Sequence, residues 1–199
     1  MKKNSIFSAI VILTFLLTGC GNSQKPAVQE NATLEKAQPT GEEMIQRGEY
    51  LVNLGGCNHC HSPKKMGPNG PEVIAERMLS GFPSDEPIPK FSTSIIKSGL
   101  VMMNASLTVG AGMWGTSFSA NLTSDQTGIG NWPEENFIRA LKQGKFKGLE
   151  GSRTLLPPMP WQDFVNVTDD DIKAMFAYFK STKPVSNAVP LPIPLEKMK

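Results

Sequence analysis

The sequence predicts a mainly α fold of about three core helices, with an inserted loop and a β-hairpin between a cysteine-rich turn near residue 60 and the helix that follows Trp132. Three observations predict it. Helix-start signatures stand at Thr40, Pro133 and Thr168, each followed by apolar residues at helical spacing. Residues 62–95 are rich in proline and glycine, as an ordered loop is. From Val101 the apolar period drops to two, the period of a strand.

Each element has its local reason. Thr40-Gly41-Glu42-Glu43 is a capping box, in which the threonine hydroxyl and the glutamate carboxylate satisfy each other's backbone N–H groups. It opens a helix to about Asn53, with Met44, Ile45, Gly48, Leu51 and Val52 on one side. Within the loop, a short helix is expected near Val73 to Leu79. Val101, Met103, Ala105, Leu107 and Val109 then alternate with Met102, Asn104, Ser106 and Thr108. Gly110-Ala111-Gly112 and a second run with Trp114, Phe118, Ala120 and Leu122 complete an expected hairpin. Pro133 suits the first position of the next helix, with Glu134 and Glu135 in its first turn, Phe137, Ile138 and Leu141 inward, and Gly144 as stop. Thr168 opens the last helix, whose stripe is Ile172, Met175, Phe176 and Phe179. Asp169, Asp170 and Asp171 suggest calcium at first sight, but their place at a helix N-terminus makes capping the better account.

The N-terminus has the pattern of an export signal: Lys2-Lys3, an apolar run of 12 residues from Ile6 to Leu17, then Leu17-Thr18-Gly19-Cys20. A spanning helix needs about 20 apolar residues. LTGC resembles the lipobox of bacterial lipoproteins, which implies that residues 1–19 are removed and that Cys20 carries lipid. Residues 20–40 then form the lipidated start and a flexible tether, and the chain is expected to be exported, lipid-anchored and periplasmic or otherwise extracytoplasmic. Residues 184–199, with prolines at 184, 190, 192 and 194, are expected to be extended. Between them lies one domain, 41–183, without internal repeats.

The whole chain has 20 basic and 18 acidic residues, and loss of Lys2 and Lys3 with the signal leaves 18 of each. Nucleic acid is therefore not an expected partner. Lys64 with Lys65, and Lys142, Lys145 and Lys147, read as solvated faces or as basic rims for an acidic redox partner.

The chemistry sits in Cys57-Asn58-His59-Cys60-His61, which holds both histidines and two of the three cysteines. A disulfide between Cys57 and Cys60 would close too small a loop to help the fold. A thioredoxin-like redox pair belongs in a βαβ unit, which the flanks do not offer. Zinc needs four convergent ligands, and no second pair exists elsewhere in the sequence. What remains is C-x-x-C-H, the attachment motif of one covalent haem c, with thioethers from Cys57 and Cys60 and His61 as the proximal iron ligand.

His59 lies inside the attachment loop and cannot reach the far side of a porphyrin. Methionine is the remaining soft ligand, and it raises the potential of the iron. Nine methionines outlast the signal. Met159 stands apart because Pro157, Pro158 and Pro160 stiffen the loop around it. Arg153 and Trp161 flank it closely enough to hydrogen-bond a haem propionate.

With these motifs the sequence resembles the cytochrome c family over about residues 41–183. "MGPNGP", "SANLTSDQTGIGNW" and "PPMPW" are similar to stretches of the cytochrome c subunits of bacterial dehydrogenases and oxidases. The resemblance implies the cytochrome c fold, three helices around one haem, with the first and last helices crossing where Gly48 admits Phe176 or Phe179. It implies Met159 as the sixth ligand, and Pro68 as the carbonyl that orients the His61 ring. An iron with both axial positions filled has no site for a small-molecule substrate. The chain is therefore expected to be a membrane-tethered electron carrier and not itself an enzyme. Its expected partners are a dehydrogenase or quinol-oxidising complex as donor and a terminal oxidase or another cytochrome as acceptor. The alternatives are a dedicated cytochrome subunit of a dehydrogenase or oxidase complex, and a haem sensor or peroxidase-like protein with an open sixth position.

Overall fold

Thr40 caps the first helix as its sequence demands. The Glu43 N–H donates to Thr40 Oγ1 at 3.3 Å and the Thr40 N–H donates to Glu43 Oε2 at 2.8 Å. These contacts belong to a computed structural model that describes residues 40–198. The signal segment, Cys20 and the tether to residue 39 lie outside the described residues.

Five α-helices and two small antiparallel sheets are found among the described residues: α1 (Gly41–Leu54), α2 (Cys57–His61), α3 (Thr93–Lys97), α4 (Glu134–Gln143) and α5 (Asp169–Ser181). The strands are β1 (Lys64–Gly67) paired with β2 (Gly70–Val73), and β4 (Val109–Gly112) lying between β3 (Met102–Met103) and β5 (Gly115–Phe118). None of these helices is long and apolar enough to cross a membrane.

The apolar stripes of α1, α4 and α5 meet in one core of Val52, Phe137, Leu141, Ile172, Met175, Phe176 and Phe179, extended by Leu79 and Ile129 from loops. Helices α1 and α5 cross closely, and Gly48 is the reason. A Cβ there would lie 1.9 Å from the Ala174 carbonyl oxygen and 2.8 Å from Tyr178 Cβ. The close approach expected at Phe176 or Phe179 therefore falls instead on Ala174 and Tyr178, which face α1 while the two phenylalanines stack on Phe137. The aspartates of α5 work as caps and ties. The Asp171 N–H donates to Thr168 Oγ1, the Arg47 guanidinium donates to both Asp171 carboxylate oxygens, and Lys142 reaches Asp169 at 2.5 Å. Pro133 is the N-cap of α4, with extended ψ of 150°, one residue before the position expected for it; Gly144 ends that helix in the left-handed region.

The insertion differs more. The expected hairpin exists as β4–β5, but the run from Val101 to Val109 is not one strand. Asn104 folds it into a turn, its side-chain carbonyl accepting from the Thr108 and Val109 N–H groups, so only Met102–Met103 reach back to pair with β4. Hydrogen bonding by asparagine overrides the period here. The helix expected near Val73 to Leu79 is a single 3₁₀ turn at Ala75–Arg77, and β1–β2 and α3 had no clear periodic signal. A second apolar cluster, Phe82, Phe91, Ile96, Val109 and Ala111, fills the space behind the hairpin. Val189, Leu195 and Met198 pack on it, so the folded unit runs on through the proline-rich tail.

Candidate haem-binding site

The site begins where α1 ends. Gly56, in the left-handed region at φ 66°, turns the chain directly into α2, a helix of one turn that carries Cys57, Cys60 and His61. All three side chains line one cleft of about 570 Å³, within the roughly 300–1,000 Å³ of cofactor pockets. Leu122, Ile129, Phe137, Leu141 and Phe179 give it apolar walls.

Cys57 and Cys60 form no disulfide with each other. Burial pushes the Cys57 thiol up to about 11. Burial also raises Cys60, against the pull of the Lys64 ammonium. The His61 Nδ1 is 2.8 Å from the Ala120 carbonyl oxygen. A carbonyl can only accept, so Nδ1 carries the proton and Nε2 keeps its lone pair for a metal. Burial holds the imidazole below the usual histidine range, partly offset by that hydrogen bond, which keeps the ring neutral as a ligand must be. The orienting role expected of Pro68 thus belongs to Ala120. Pro68 sits exposed in the β1–β2 turn, because that hairpin leads the segment away from the cleft.

Ala120 is placed by Asn121, whose N-x-T sequence is a structural device. The Asn121 side-chain carbonyl accepts from the Thr123 N–H at 2.9 Å, and its amide donates to Thr127 Oγ1 and the Val185 carbonyl. With 3% of its surface exposed, Asn121 cannot serve as a glycan acceptor.

Met159 lines the same cleft, half-buried on its loop. The loop is tied to α4 by the Leu155 N–H, which donates to the Gly144 carbonyl at 2.6 Å. The hairpin holds it as well, because Ser117 Oγ donates to the Pro157 carbonyl at 2.5 Å. Met175 lines the cleft too, but from the middle of α5, where it is 2% exposed and part of the core. Met66 and Met113 are exposed. Arg153 lines the cleft, stacked 4.0 Å over the Phe146 ring. Trp161 is not among the lining residues. Its indole packs on Gly144, where a Cβ would lie 2.4 Å from the ring.

Lys64 is not a free rim cation. Its ammonium donates to the His59 carbonyl at 2.5 Å, the Ser62 carbonyl at 3.2 Å and the Ser106 carbonyl at 2.7 Å, clamping α2 to the Asn104 turn. Lys142 is likewise paired, with Asp169. The Ala120 carbonyl and the Lys64 clamp were not legible in sequence, since a backbone carbonyl carries no residue signature. Asn-x-Thr as a turn motif was the one available hint.

Among the described residues no three histidine, cysteine, aspartate or glutamate side chains gather as a metal site. Two thiols and an imidazole from one helical turn, with a thioether from a distant loop in the same apolar cleft, instead suit a covalently held haem.

No family model matches the chain. It is 32% identical over 152 residues to the alcohol dehydrogenase (quinone) cytochrome c subunit of Gluconobacter oxydans, covering 75% of this chain and 24% of that protein. It is 32% identical over 147 residues to the gluconate 2-dehydrogenase cytochrome c subunit of Pantoea cypripedii, covering 73% and 25%. With the fructose dehydrogenase cytochrome subunit of Gluconobacter japonicus the identity is 28% over 155 residues, 75% of this chain and 24% of that one. The chain therefore spans about a quarter of the length of these cytochrome subunits. Attachment motif, helical frame and these likenesses agree: the chain belongs to the cytochrome c family.

Proposed function

We propose that this chain is the electron-transfer cytochrome subunit of a membrane dehydrogenase, holding one haem c through Cys57 and Cys60 with His61 and Met159 on the iron. The observation that carries the reading is a single apolar cleft lined by all four of these side chains. When bound, haem supplies a one-electron ferric/ferrous couple.

The chain's own residues do the rest. Ala120 holds the His61 ring in the tautomer that leaves Nε2 free. Ser117 and Gly144 hold the Met159 loop, so that a weak sulfur ligand is not lost to motion. Arg153, which lines the cleft, would hold a haem propionate there. With His61 and Met159 both holding the iron, no position would be left for a substrate, and the site would serve electron transfer. A lipid on Cys20 keeps the domain at the extracytoplasmic membrane surface, in reach of a dehydrogenase as donor and an oxidase or second cytochrome as acceptor. The likeness to dehydrogenase cytochrome subunits favours this dedicated role over a general carrier.

The test is the ferric absorption spectrum of haem-loaded wild type beside Met159→Ala and Met175→Leu. The weak red band that reports sulfur on iron is expected in wild type and in M175L and absent in M159A. A band that survives in M159A, or its absence from wild type together with rapid carbon monoxide binding, sinks the His/Met reading. Affinity purification from native membranes is expected to bring down a large catalytic subunit. An isolated protein reduced by several unrelated donors would instead describe a general carrier.

A further inference from the structure

The tail after α5 crosses the cleft as a strap pinned at both ends. At one end Asn187, 8% exposed, makes five hydrogen bonds, one of them accepted by its backbone carbonyl from the Asn121 amide at 3.4 Å. The Asn187 side-chain amide donates to the Ser80 carbonyl at 2.6 Å and the Phe82 carbonyl at 2.9 Å. Its side-chain carbonyl accepts from the Ser84 N–H at 2.8 Å, and its own N–H donates to Thr127 Oγ1 at 2.9 Å. At the other end Ile193 and Thr116 exchange two backbone hydrogen bonds of 2.9 and 2.7 Å. The five residues between them, Ala188-Val189-Pro190-Leu191-Pro192, all line the cleft that holds Cys57, His61 and Met159. Two prolines stiffen the span. Leu191 lines the cleft and is 77% exposed, so it offers its side chain to whatever fills the cleft.

We infer that residues 188–192 are a wall of the haem site, and that this strap sets the reduction potential by screening the haem from water. The inference rests on the haem reading above. The physical reason is that ferric haem carries one more positive charge than ferrous haem, and water solvates the more charged state better. An apolar wall that excludes water therefore favours the ferrous form and raises the potential. The strap does this while both ends stay fixed, so it is a permanent part of the site.

The experiment replaces Ala188–Pro192 with Gly-Gly-Ser-Gly-Gly in the haem-loaded full chain, keeping Asn187 and Ile193, and measures the midpoint potential by optical redox titration. The ferrous-to-ferric ratio at fixed potential is expected to fall about tenfold, a shift of about 59 mV for one electron. Because a five-residue change can disturb folding, Leu191→Asp and Leu191→Lys are measured beside it, at a side chain exposed enough for the fold to tolerate either. A carboxylate at the wall favours ferric haem and an ammonium favours ferrous haem. The two variants should therefore move in opposite directions, each by about threefold in the ratio, or about 28 mV at 59 mV per decade. A merely structural role would move both the same way. Equal potentials in wild type and the strap replacement, or no opposed shift between L191D and L191K, would overturn the inference. The red sulfur band is recorded on every sample. Its loss from wild type refutes the Met159 assignment, while the differences in potential still decide the strap.

Discussion

Substituting Gly48 by alanine tests the helical frame at its tightest point. The added Cβ would sit 1.9 Å from the Ala174 carbonyl oxygen and 2.5 Å from its carbon, both backbone atoms that cannot rotate away. To restore ordinary contact at 3.4 Å, α5 must retreat from α1 by about 1.5 Å. Overpacking of this kind costs about 1–3 kcal/mol. A gap of that size also forfeits much of the dispersion attraction along the crossing, so the gross loss is about 3–4 kcal/mol. Alanine regains about 1 kcal/mol of helix propensity, leaving a net loss of about 2–3 kcal/mol. For a chain of this size each kcal/mol lowers Tm by roughly 2–4 °C, so the drop is about 4–12 °C by thermal circular dichroism. Gly41→Ala is the control, because nothing lies within 4 Å of a Cβ at that position of the same helix; it should be neutral or stabilising by up to about 1 kcal/mol. A G48A protein as stable as G41A would refute the close crossing of α1 and α5 and with it the frame that places α2.

Other outcomes follow from the same contacts. Ser117→Ala removes the donor to Pro157 and the acceptor for the Trp114 indole N–H. The loosened Met159 loop should let imidazole displace sulfur at roughly tenfold lower concentration, about 1.4 kcal/mol, as read by titration of the red band; an unchanged titration would mean the hairpin does not hold the loop. Lys64→Met frees three carbonyls and should cost about 2 kcal/mol in urea denaturation. The exposed Lys65→Met should stay within about 0.5 kcal/mol, and equal effects would argue against the clamp. Arg77 holds the Asp85 carboxyl, and Lys142 the Asp169 carboxyl, below the usual carboxylate range by side-chain hydrogen bonds. Below pH about 4 the unfolded chain therefore binds more protons than the folded one, and stability falls as pH drops through the folded pKa values. The paired variant R77M/K142M should flatten that acid slope; an unaltered slope would assign it to other groups.

Much of this was written locally in the chain. Capping at Thr40 and Thr168 and the stripes of α1, α4 and α5 depend on neighbours three or four residues apart, and the structure keeps each of them. The C-x-x-C-H turn is local as well, since two thiols and an imidazole on one turn need no distant partner to be recognised. Alternation from Val101 misled because Asn104 offers its side chain to the backbone and ends the strand early. Closeness in sequence did not fix position: Pro68 stands exposed in the β1–β2 turn, and the Trp161 ring packs on Gly144.

Residue types and their spacing were therefore enough for the helical frame, the attachment chemistry and the choice of Met159 as a candidate, each resting on short-range geometry. Folding supplied what long-range closure alone can bring together. Ala120 meets His61 across 59 positions, Ser106 meets Lys64 across 42, and Asn187 meets Ser80 across 107. All three links end on backbone carbonyls, which every residue possesses. No pattern of side chains announces them, and packing alone selects which carbonyl faces the site.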